Sequence, residues 1–137
     1  MTTASNTKKI LVVDDDIALT KLLGGILTNH GYKVSTAYDG LEGMVQVGRN
    51  TPDLIILDIM MPGLNGYDVC KELKFNTEYK HIPIIVLTSR EQELSPRIGQ
   101  LMGIDYMHKP LDSKLLLEKV QKALSLNPIP DQQAKDR

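Results

Sequence analysis

The sequence lacks several features that whole classes of protein require. It has one cysteine, Cys70, so no disulfide can form within the chain, and a reducing compartment is expected. No apolar run approaches the roughly 18 residues of a membrane span, and no charged and then apolar N-terminal stretch marks a secretory signal. We therefore expect a cytoplasmic protein that does not enter a membrane. Its 137 residues suffice for one domain with a core of its own.

Aromatic residues and unbalanced charge are also scarce. There is no tryptophan and one phenylalanine, and 16 Lys and Arg stand against 17 Asp and Glu, for a net charge of -1. Proteins that bind nucleic acid directly usually present a basic patch to the phosphates and aromatic rings on which bases stack. The composition therefore disfavours direct binding of nucleic acid.

Three runs of consecutive apolar residues predict strands that are buried on both faces, as the strands of parallel sheets are. These runs are residues 10–13, 54–57 and 84–87. Two weaker segments complete the set of strands. Residues 33–37 alternate and are β-branched, which favours a strand nearer the sheet edge, and residues 106–108 predict a brief fifth strand.

Helical segments separate these strands. Apolar residues recur at helical spacing over about residues 17–29, 41–47, 66–75, 96–102 and 113–126. Alternating strands and helices imply right-handed crossovers, and hence a doubly wound α/β fold. We expect a five-stranded parallel sheet with helices on both faces and the flavodoxin-like strand order 2-1-3-4-5. No glycine-rich phosphate-binding loop follows any of these strands.

Some details of the helices are specific enough to be tested. Asp16 is expected to cap the first helix, Gly48 to end the second, and Asp112 or Ser113 to cap the last. The apolar residues of the third and last helices that should face the core are Val69, Cys70, Leu73, Leu115, Leu116, Val120 and Leu124. Lys119 and Lys122 of the last helix should face water.

Both ends of the chain differ in composition from the rest. Residues 1–7 are small, polar and without periodicity, which predicts a disordered N-terminal arm. Residues 126–137 contain two prolines and a polar end, which predicts a C-terminal tail or a linker stub. The folded domain should therefore span residues 8–125.

The central apolar run, residues 54–57, is followed at once by a carboxylate, Asp58. Pro62 and Gly63 then favour a turn. Asp58 should therefore stand at the carboxyl end of a central strand, where open α/β sheets bind their ligands. Taken alone, this acid could simply cap the turn, because aspartate is common in turns. The residues that end the other strands favour a functional role.

Polar side chains end the other predicted strands as well. Asp14 and Asp15 follow the first, Thr88 the fourth and Lys109 the fifth. In the predicted strand order, the acids of strands one and three lie side by side, where they repel and raise one another's pKa unless a cation intervenes. Mg²⁺ is commonly held by one or two carboxylates together with a phosphate. The pattern predicts a Mg²⁺ site that handles a phosphoryl group, with Asp58 as the candidate nucleophile.

These motifs resemble the receiver domain of two-component response regulators over about residues 8–125. The resemblance is carried by Val12-Val13-Asp14-Asp15, by Leu57-Asp58-Ile59-Met60-Met61-Pro62 with Gly66, by Leu87-Thr88-Ser89 and by Tyr106-Met107-His108-Lys109-Pro110. It implies a signalling switch that accepts a phosphoryl group from a phosphohistidine of a sensor histidine kinase or a histidine phosphotransfer protein. It implies no enzyme activity beyond phosphotransfer to the chain itself and autodephosphorylation.

The resemblance also implies a role for each acid. Asp58 is the phosphoacceptor and a Mg²⁺ ligand. Asp15 and the backbone carbonyl of Met60 bind Mg²⁺ directly, and Asp14 reaches the ion through water. Mg²⁺ is thus the expected cofactor.

Three residues on the fourth and fifth strands complete the implied machinery. Thr88 and Lys109 hold the phosphoryl oxygens, and Tyr106 is the switch aromatic. The signal passes to a downstream output protein or domain through the face formed by the fourth helix, the fifth strand and the fifth helix. Between Gly103 and Tyr106 this chain has one residue fewer than the usual family pattern, so Ile104-Asp105 is expected to shorten the turn before the fifth strand.

Two other functions remain open on the sequence. Val13-Asp14-Asp15-Asp16 resembles the Asp-x-Asp motif of Mg²⁺-dependent haloacid-dehalogenase-like phosphatases, with Asp14 as nucleophile and Asp16 as general acid. Ala18 stands where that motif has Thr or Val, and no second acidic pair follows Lys109. A receiver-like binding module that ignores phosphate would have the same fold, although this chain keeps every site residue.

Overall fold

The computed structural model describes residues 7–61, 63, 66–88 and 103–126. Within these residues there are five strands and four helices. The strands are β1 (Lys9–Val13), β2 (Lys33–Ala37), β3 (Leu54–Asp58), β4 (Ile84–Thr88) and β5 (Ile104–His108). The helices are α1 (Ile17–Asn29), α2 (Gly40–Arg49), α3 (Gly66–Lys74) and the C-terminal helix (Ser113–Leu126).

All five strands are parallel, and they pair in the order β2-β1-β3-β4-β5. The predicted strand order and the doubly wound α/β fold are therefore confirmed. Every residue of β3 is buried, whereas β2 lies at the sheet edge and is mostly half-buried. The contrast between a continuous apolar run and an alternating one thus distinguished the central strand from the edge strand.

The core consists of two apolar layers, one on each face of the sheet. Successive residues of a strand point to opposite faces, so β1 and β3 contribute to both layers. The layer under α2 and α3 includes Leu11, Val13, Val47, Ile55, Leu57, Val69, Leu73 and Val86. The layer under α1 and the C-terminal helix includes Ile10, Val12, Leu23, Leu27, Leu54, Ile56, Leu116 and Val120. Burying one such side chain stabilises the fold by about 1.5–3 kcal/mol, so the two layers fix the sheet and hold its ends in place.

The predicted beginning and end of α1 are confirmed. The side chain of Asp16 accepts a hydrogen bond from the Leu19 N–H at 3.0 Å, which caps the helix. Gly31, at φ 91, follows the last turn, a conformation that favours glycine. The inner face of α3 is also as predicted, with Val69, Cys70 and Leu73 buried.

The predicted end of α2 was wrong. Gly48 lies inside the helix, which continues to Arg49, and the Asn50 N–H donates to the Gln46 carbonyl at 2.9 Å. A glycine within a helix costs about 1 kcal/mol relative to alanine, but it does not by itself end the helix. Here the backbone hydrogen bonds continue past Gly48.

The inner face of the C-terminal helix was predicted correctly except at one residue. Leu116 and Val120 are buried and Leu124 packs partly against the same layer, but Leu115 is 41% exposed. Leu117 packs against the layer as well. Of the two predicted caps, Asp112 is the one that caps this helix, because its Oδ1 accepts hydrogen bonds from the Lys114 and Leu115 N–H groups.

The segment between Gly103 and Tyr106 belongs to β5, and a shortened turn before it stays a prediction because residues 101 and 102 lie outside those that the structure describes. β5 begins at Ile104, directly after Gly103, and Ile104 pairs with Ile84 of β4. Asp105 is therefore a strand residue, and its Oδ2 accepts a hydrogen bond from Lys119 Nζ at 3.0 Å. Lys119 thus pairs with Asp105, contrary to the expectation that it simply faces water.

Other predictions concern residues outside those that the structure describes. They are the helix at 96–102, nearly all of the arm at 1–7 and nearly all of the tail at 126–137. The domain bounds 8–125 therefore stay a prediction. Among the helices of the described residues, none is both long enough and apolar enough to cross a membrane.

Candidate functional site

Asp14 and Asp58 lie side by side at the carboxyl edge of the sheet. β1 and β3 are neighbours, with Val13 opposite Leu57, so the next residues of the two strands come together. Asp14 is 0% exposed and Asp58 is 3% exposed. Two carboxylates removed from water repel one another unless protons or cations compensate their charge.

Lys109 brings a positive charge to this pair from the end of β5. Its Nζ lies 3.3 Å from Asp14 Oδ2 and 3.4 Å from Asp58 Oδ1. Its backbone N–H donates to the Thr88 carbonyl at 2.9 Å, which ties it to the end of β4. One lysine is thus shared by two buried acids.

The pKa values of these groups show that one lysine does not compensate both acids. Burial raises the pKa of Asp14 above its ordinary value, although the Asp16 N–H and Lys109 act in the opposite direction. Burial also raises the pKa of Asp58, and the charge of Asp14 raises it further. Burial alone would lower the pKa of Lys109, but the two carboxylates more than offset this and raise it. The site therefore favours an additional cation.

Three carboxylates form an acidic cluster (Asp14, Asp15 and Asp58), whose ligand oxygens lie within 4.8 Å of one another. Asp15 is exposed, so the cluster opens to solvent. Asp14 Oδ2 is buried and makes no hydrogen bond among the described residues, so it can accept a further partner. Oxygen donors with uncompensated negative charge suit Mg²⁺. The Met60 carbonyl as a further ligand stays a prediction.

Asp16 has two local roles beside the acidic cluster. Its carboxylate caps α1, and its backbone N–H donates to Asp14 Oδ1 at 2.9 Å. That hydrogen bond holds the Asp14 carboxylate toward Asp58 and Lys109. Asp16 is thus a cap, as predicted.

Thr88 and Tyr106 project from the same face of the sheet. Thr88 is the last residue of β4 and is 1% exposed. Tyr106 lies opposite Val86 on β5 and packs partly against the apolar layer under α2 and α3. Residues two apart on a strand share a face, so Thr88 and Val86 point the same way as Tyr106. Their roles as phosphoryl ligand and switch stay predictions.

A family model, the response regulator receiver domain, matches residues 10–121. The chain belongs to the receiver-domain family. Receiver domains are the phosphorylation-activated signalling switches of two-component response regulators, and they are not enzymes in the ordinary sense.

Known proteins similar to this receiver domain differ in length. It is 39% identical over 118 residues to the response regulator PleD of Caulobacter vibrioides, covering 82% of this chain and 25% of PleD. It is 35% identical over 118 residues to the protein PilH of Pseudomonas aeruginosa, covering 85% of this chain and 98% of PilH. The chain therefore spans a quarter of one relative and nearly the whole of the other.

A solved structure agrees with this assignment. The crystal structure of a putative response regulator from Chloroflexus aurantiacus is similar, with a TM-score of 0.78 and 34% sequence identity. The similarity covers 87% of this chain and 98% of that one. The fold and the family are thus supported by sequence and by structure.

Gly66, the first residue of α3, lies against the backbone of Asp58 in this receiver domain. A Cβ at Gly66 would overlap the Asp58 carbonyl oxygen and would lie 2.6 Å from the Ile59 Cα. The Gly66 N–H donates to the Ile59 carbonyl at 3.0 Å. The sequence marked Gly66 as part of a motif, but no periodicity or spacing indicates that α3 begins in contact with the strand that carries Asp58.

Proposed function

We propose that Asp58 accepts a phosphoryl group from a phosphohistidine of a sensor histidine kinase or a histidine phosphotransfer protein, with Mg²⁺ present. The observation that carries the proposal is the position of Asp58 at the end of the central strand, with Lys109 Nζ 3.4 Å from its Oδ1. The acidic cluster and its uncompensated charge support the requirement for Mg²⁺.

The chemistry follows from these positions. An Asp58 oxygen would attack the phosphorus, the phosphorus–nitrogen bond to the donor histidine would break, and the imidazole would leave with the electron pair. Negative charge is then spread over the three remaining phosphoryl oxygens. Lys109 is placed to bind one of them and the Thr88 hydroxyl another. Mg²⁺ held by the acidic cluster and the Met60 carbonyl would supply further positive charge.

The same site accounts for a transient signal. Water can attack the aspartyl phosphate, which restores the Asp58 carboxylate and releases inorganic phosphate. This autodephosphorylation would make the domain return to its unphosphorylated state without a second protein.

We infer that the signal leaves through the output face, which consists of the predicted helix at 96–102, β5 and the C-terminal helix. A phosphoryl group on Asp58 would attract the Thr88 hydroxyl, because charge-assisted hydrogen bonds are stronger than neutral ones. Space would open on the face of the sheet that carries Tyr106, whose ring could turn inward. Phosphorylation would thus shift an equilibrium between two existing conformations, which a downstream output protein or domain distinguishes.

Treatment with acetyl phosphate, with and without Mg²⁺, tests the proposal when the adduct is mapped by mass spectrometry. We expect one Mg²⁺-dependent phosphoryl group on Asp58 and none in Asp58→Asn. Asp16→Asn is the matched control, because asparagine also caps helices and should leave phosphorylation unchanged. An adduct on Asp14, together with loss of turnover in Asp16→Asn, would instead support phosphatase chemistry. No adduct at all would support a binding module that ignores phosphate.

A further inference from the structure

Lys74 lies at the amino edge of the sheet, opposite the edge that carries Asp58. It is the last residue of α3, and its Nζ donates to the backbone carbonyls of Lys80 at 3.0 Å and Ile82 at 2.8 Å. The same nitrogen lies 3.2 Å from the position that a Cβ on Gly103 would occupy. The amine thus contacts the segment before β4 and the turn before β5.

Lys74 has hydrogen-bond partners that carry no negative charge, so neither partner offsets the burial of its ammonium form. Either form of the amine can donate to two carbonyls, since the ammonium has three N–H donors and the neutral amine has two and a lone pair. Lys74 has two carbonyl acceptors, and among the described residues no carboxylate lies within ion-pair distance of its Nζ. The titratable group that acts on it is Cys70, and burial raises the pKa of that thiol to about 12, so it carries no negative charge at neutral pH.

Burial is also the main influence on the amine itself. It lowers the pKa of Lys74 from an ordinary 10.5 to about 8, although Cys70 acts in the opposite direction. At pH 7.5 about a quarter of such a group is neutral, against about one part in a thousand for an ordinary lysine. The neutral form is the nucleophile, because the ammonium has no lone pair. The Lys74 side chain is half-buried, so a small reagent can approach from solvent.

We propose that Lys74 is an acylation site that takes an acyl group from small donors with a good leaving group, such as acyl phosphates. The amine nitrogen attacks the acyl carbon, a carbon–nitrogen bond forms, and the carbon–oxygen bond to phosphate breaks. Phosphate leaves with the electron pair, and the nitrogen loses a proton to water. This reaction goes beyond phosphoryl transfer to Asp58 and does not depend on it.

Acylation would alter the contacts at the amino edge. An acylated Lys74 keeps one N–H, so one of its two carbonyl partners loses its hydrogen bond. The added group must also be accommodated beside Gly103, whose carbonyl accepts a hydrogen bond from the Ile84 N–H at 3.1 Å. The starts of β4 and β5 should therefore become less firmly paired.

Competitive labelling of the native full chain tests the proposal. Trace isotopic acetic anhydride is added at a series of pH values together with a free lysine side-chain standard, and the labelled peptides are quantified. We expect labelling of Lys74 to reach half its maximum near pH 8, below that of the standard. Labelling of Lys74 that follows the standard, or that occurs only after denaturation, would overturn the proposal. Lys80 in the same digest is exposed and reports that the reagent reaches this segment.

A second measurement separates this proposal from the function proposed for Asp58. Acetyl phosphate should acetylate Lys74 equally in the natural chain and in Asp58→Asn, which has no phosphoacceptor. Lys74→Arg keeps the charge and the donors but should lose the label at this position alone. Exchange of the Ile84 amide should be faster in the acetylated chain. Failure to phosphorylate Asp58 would leave these results unaffected, whereas an unlabelled Lys74 in Asp58→Asn would contradict the acylation site.

Discussion

Lys109 Nζ lies 3.3 Å from Asp14 Oδ2, a buried oxygen that makes no hydrogen bond among the described residues. The same nitrogen lies 3.4 Å from Asp58. In the unphosphorylated chain, Lys109 thus compensates part of the charge of two acids. The arrival of a phosphoryl group would give this lysine a more negative partner, so its position links the two states of the switch.

Replacing Lys109 by alanine should slow phosphorylation while the domain still folds. Lys109 is half-buried at the end of the sheet and contributes little to either apolar layer. Removing one positioned donor from a site of developing negative charge typically costs about 100-fold in rate. The rate with acetyl phosphate and Mg²⁺ measures this, with Lys122→Ala, an exposed lysine of the C-terminal helix, as the control. Normal phosphorylation and normal switching in Lys109→Ala would make Lys109 a bystander.

Asp58→Asn should stabilise the fold at neutral pH when Mg²⁺ is absent. Burial and the charge of Asp14 raise the pKa of Asp58 in the folded chain. At pH values above the ordinary pKa of an aspartate, the unfolded chain therefore binds fewer protons than the folded chain. The natural chain therefore loses stability as the pH rises through this range, and the asparagine variant does not. Urea denaturation at pH 4 and pH 7 should show that the unfolding free energy of Asp58→Asn exceeds that of the natural chain by about 1 kcal/mol at pH 7. A less stable variant at pH 7 would mean that the ion pair with Lys109 outweighs the repulsion.

Excess Mg²⁺ should make the natural chain more stable than Asp58→Asn, the reverse of their order without the ion. A ligand that binds only the folded chain at about 100 times its dissociation constant stabilises that chain by about 2.7 kcal/mol. Asp58→Asn removes one carboxylate of the acidic cluster, so it should gain less. Thermal unfolding with and without Mg²⁺ compares the two gains, and equal gains would place the ion elsewhere.

Gly66→Ala should impair both folding and phosphorylation. The added methyl group would overlap the backbone at Asp58, so α3 must move away from the strand or the strand must deform. Overpacking of this kind costs about 1–3 kcal/mol. Gly25→Ala is the matched control, since Gly25 lies in α1 with nothing within 4 Å of its Cβ position, and alanine there should add up to about 1 kcal/mol of stability. Equal effects of the two substitutions on phosphorylation would show that the contact of α3 with Asp58 has no role.

Phosphorylation should alter the output face. Hydrogen exchange with beryllofluoride and Mg²⁺, which imitate a phosphoryl group on Asp58, should change in peptides that cover residues 90–112. The edge strand β2 lies at the opposite side of the sheet and should remain unchanged. Changes confined to the loops of the acidic cluster would place the output surface elsewhere.

The titration of Lys74 should appear in the stability of the chain at alkaline pH. Burial lowers its pKa to about 8 in the folded state, so between about pH 8 and pH 10.5 the unfolded chain binds more protons than the folded one. Stability from this group therefore rises with pH across that interval. The unfolding free energy of the natural chain should therefore rise over this interval relative to that of Lys74→Met, which has no titrating group at this position. A urea series at several pH values measures both. A constant difference would show that Lys74 does not titrate there.

The sequence predicts the strands and most helices of this domain because buried positions are occupied by apolar residues at a spacing that can be read along the chain. Four apolar residues in a row require two covered faces, as β3 has, and the strand order then brings Asp14 beside Asp58. No such sequence pattern indicates the contacts of Gly66 and Lys74. They depend on backbone atoms of segments that the fold brings together, and side-chain types or spacing do not encode those distances. The exposure of Leu115 was missed for a similar reason, since helical spacing gives a face but not the extent of the sheet beneath it.

The length of the strands sets the distance between the two edges of the sheet, and so between Lys74 and Asp58. At about 3.3 Å per residue, β4 separates the edge near Lys74 from the edge near Asp58 by roughly 16 Å. An acyl phosphate could deliver its phosphorus at one edge and its acyl carbon at the other, and neither product would block the second reaction. One protein molecule could therefore carry a phosphoryl group on Asp58 and an acyl group on Lys74 at the same time. The ratio of the two modifications would report whether attack at phosphorus or at the acyl carbon predominates in the cell.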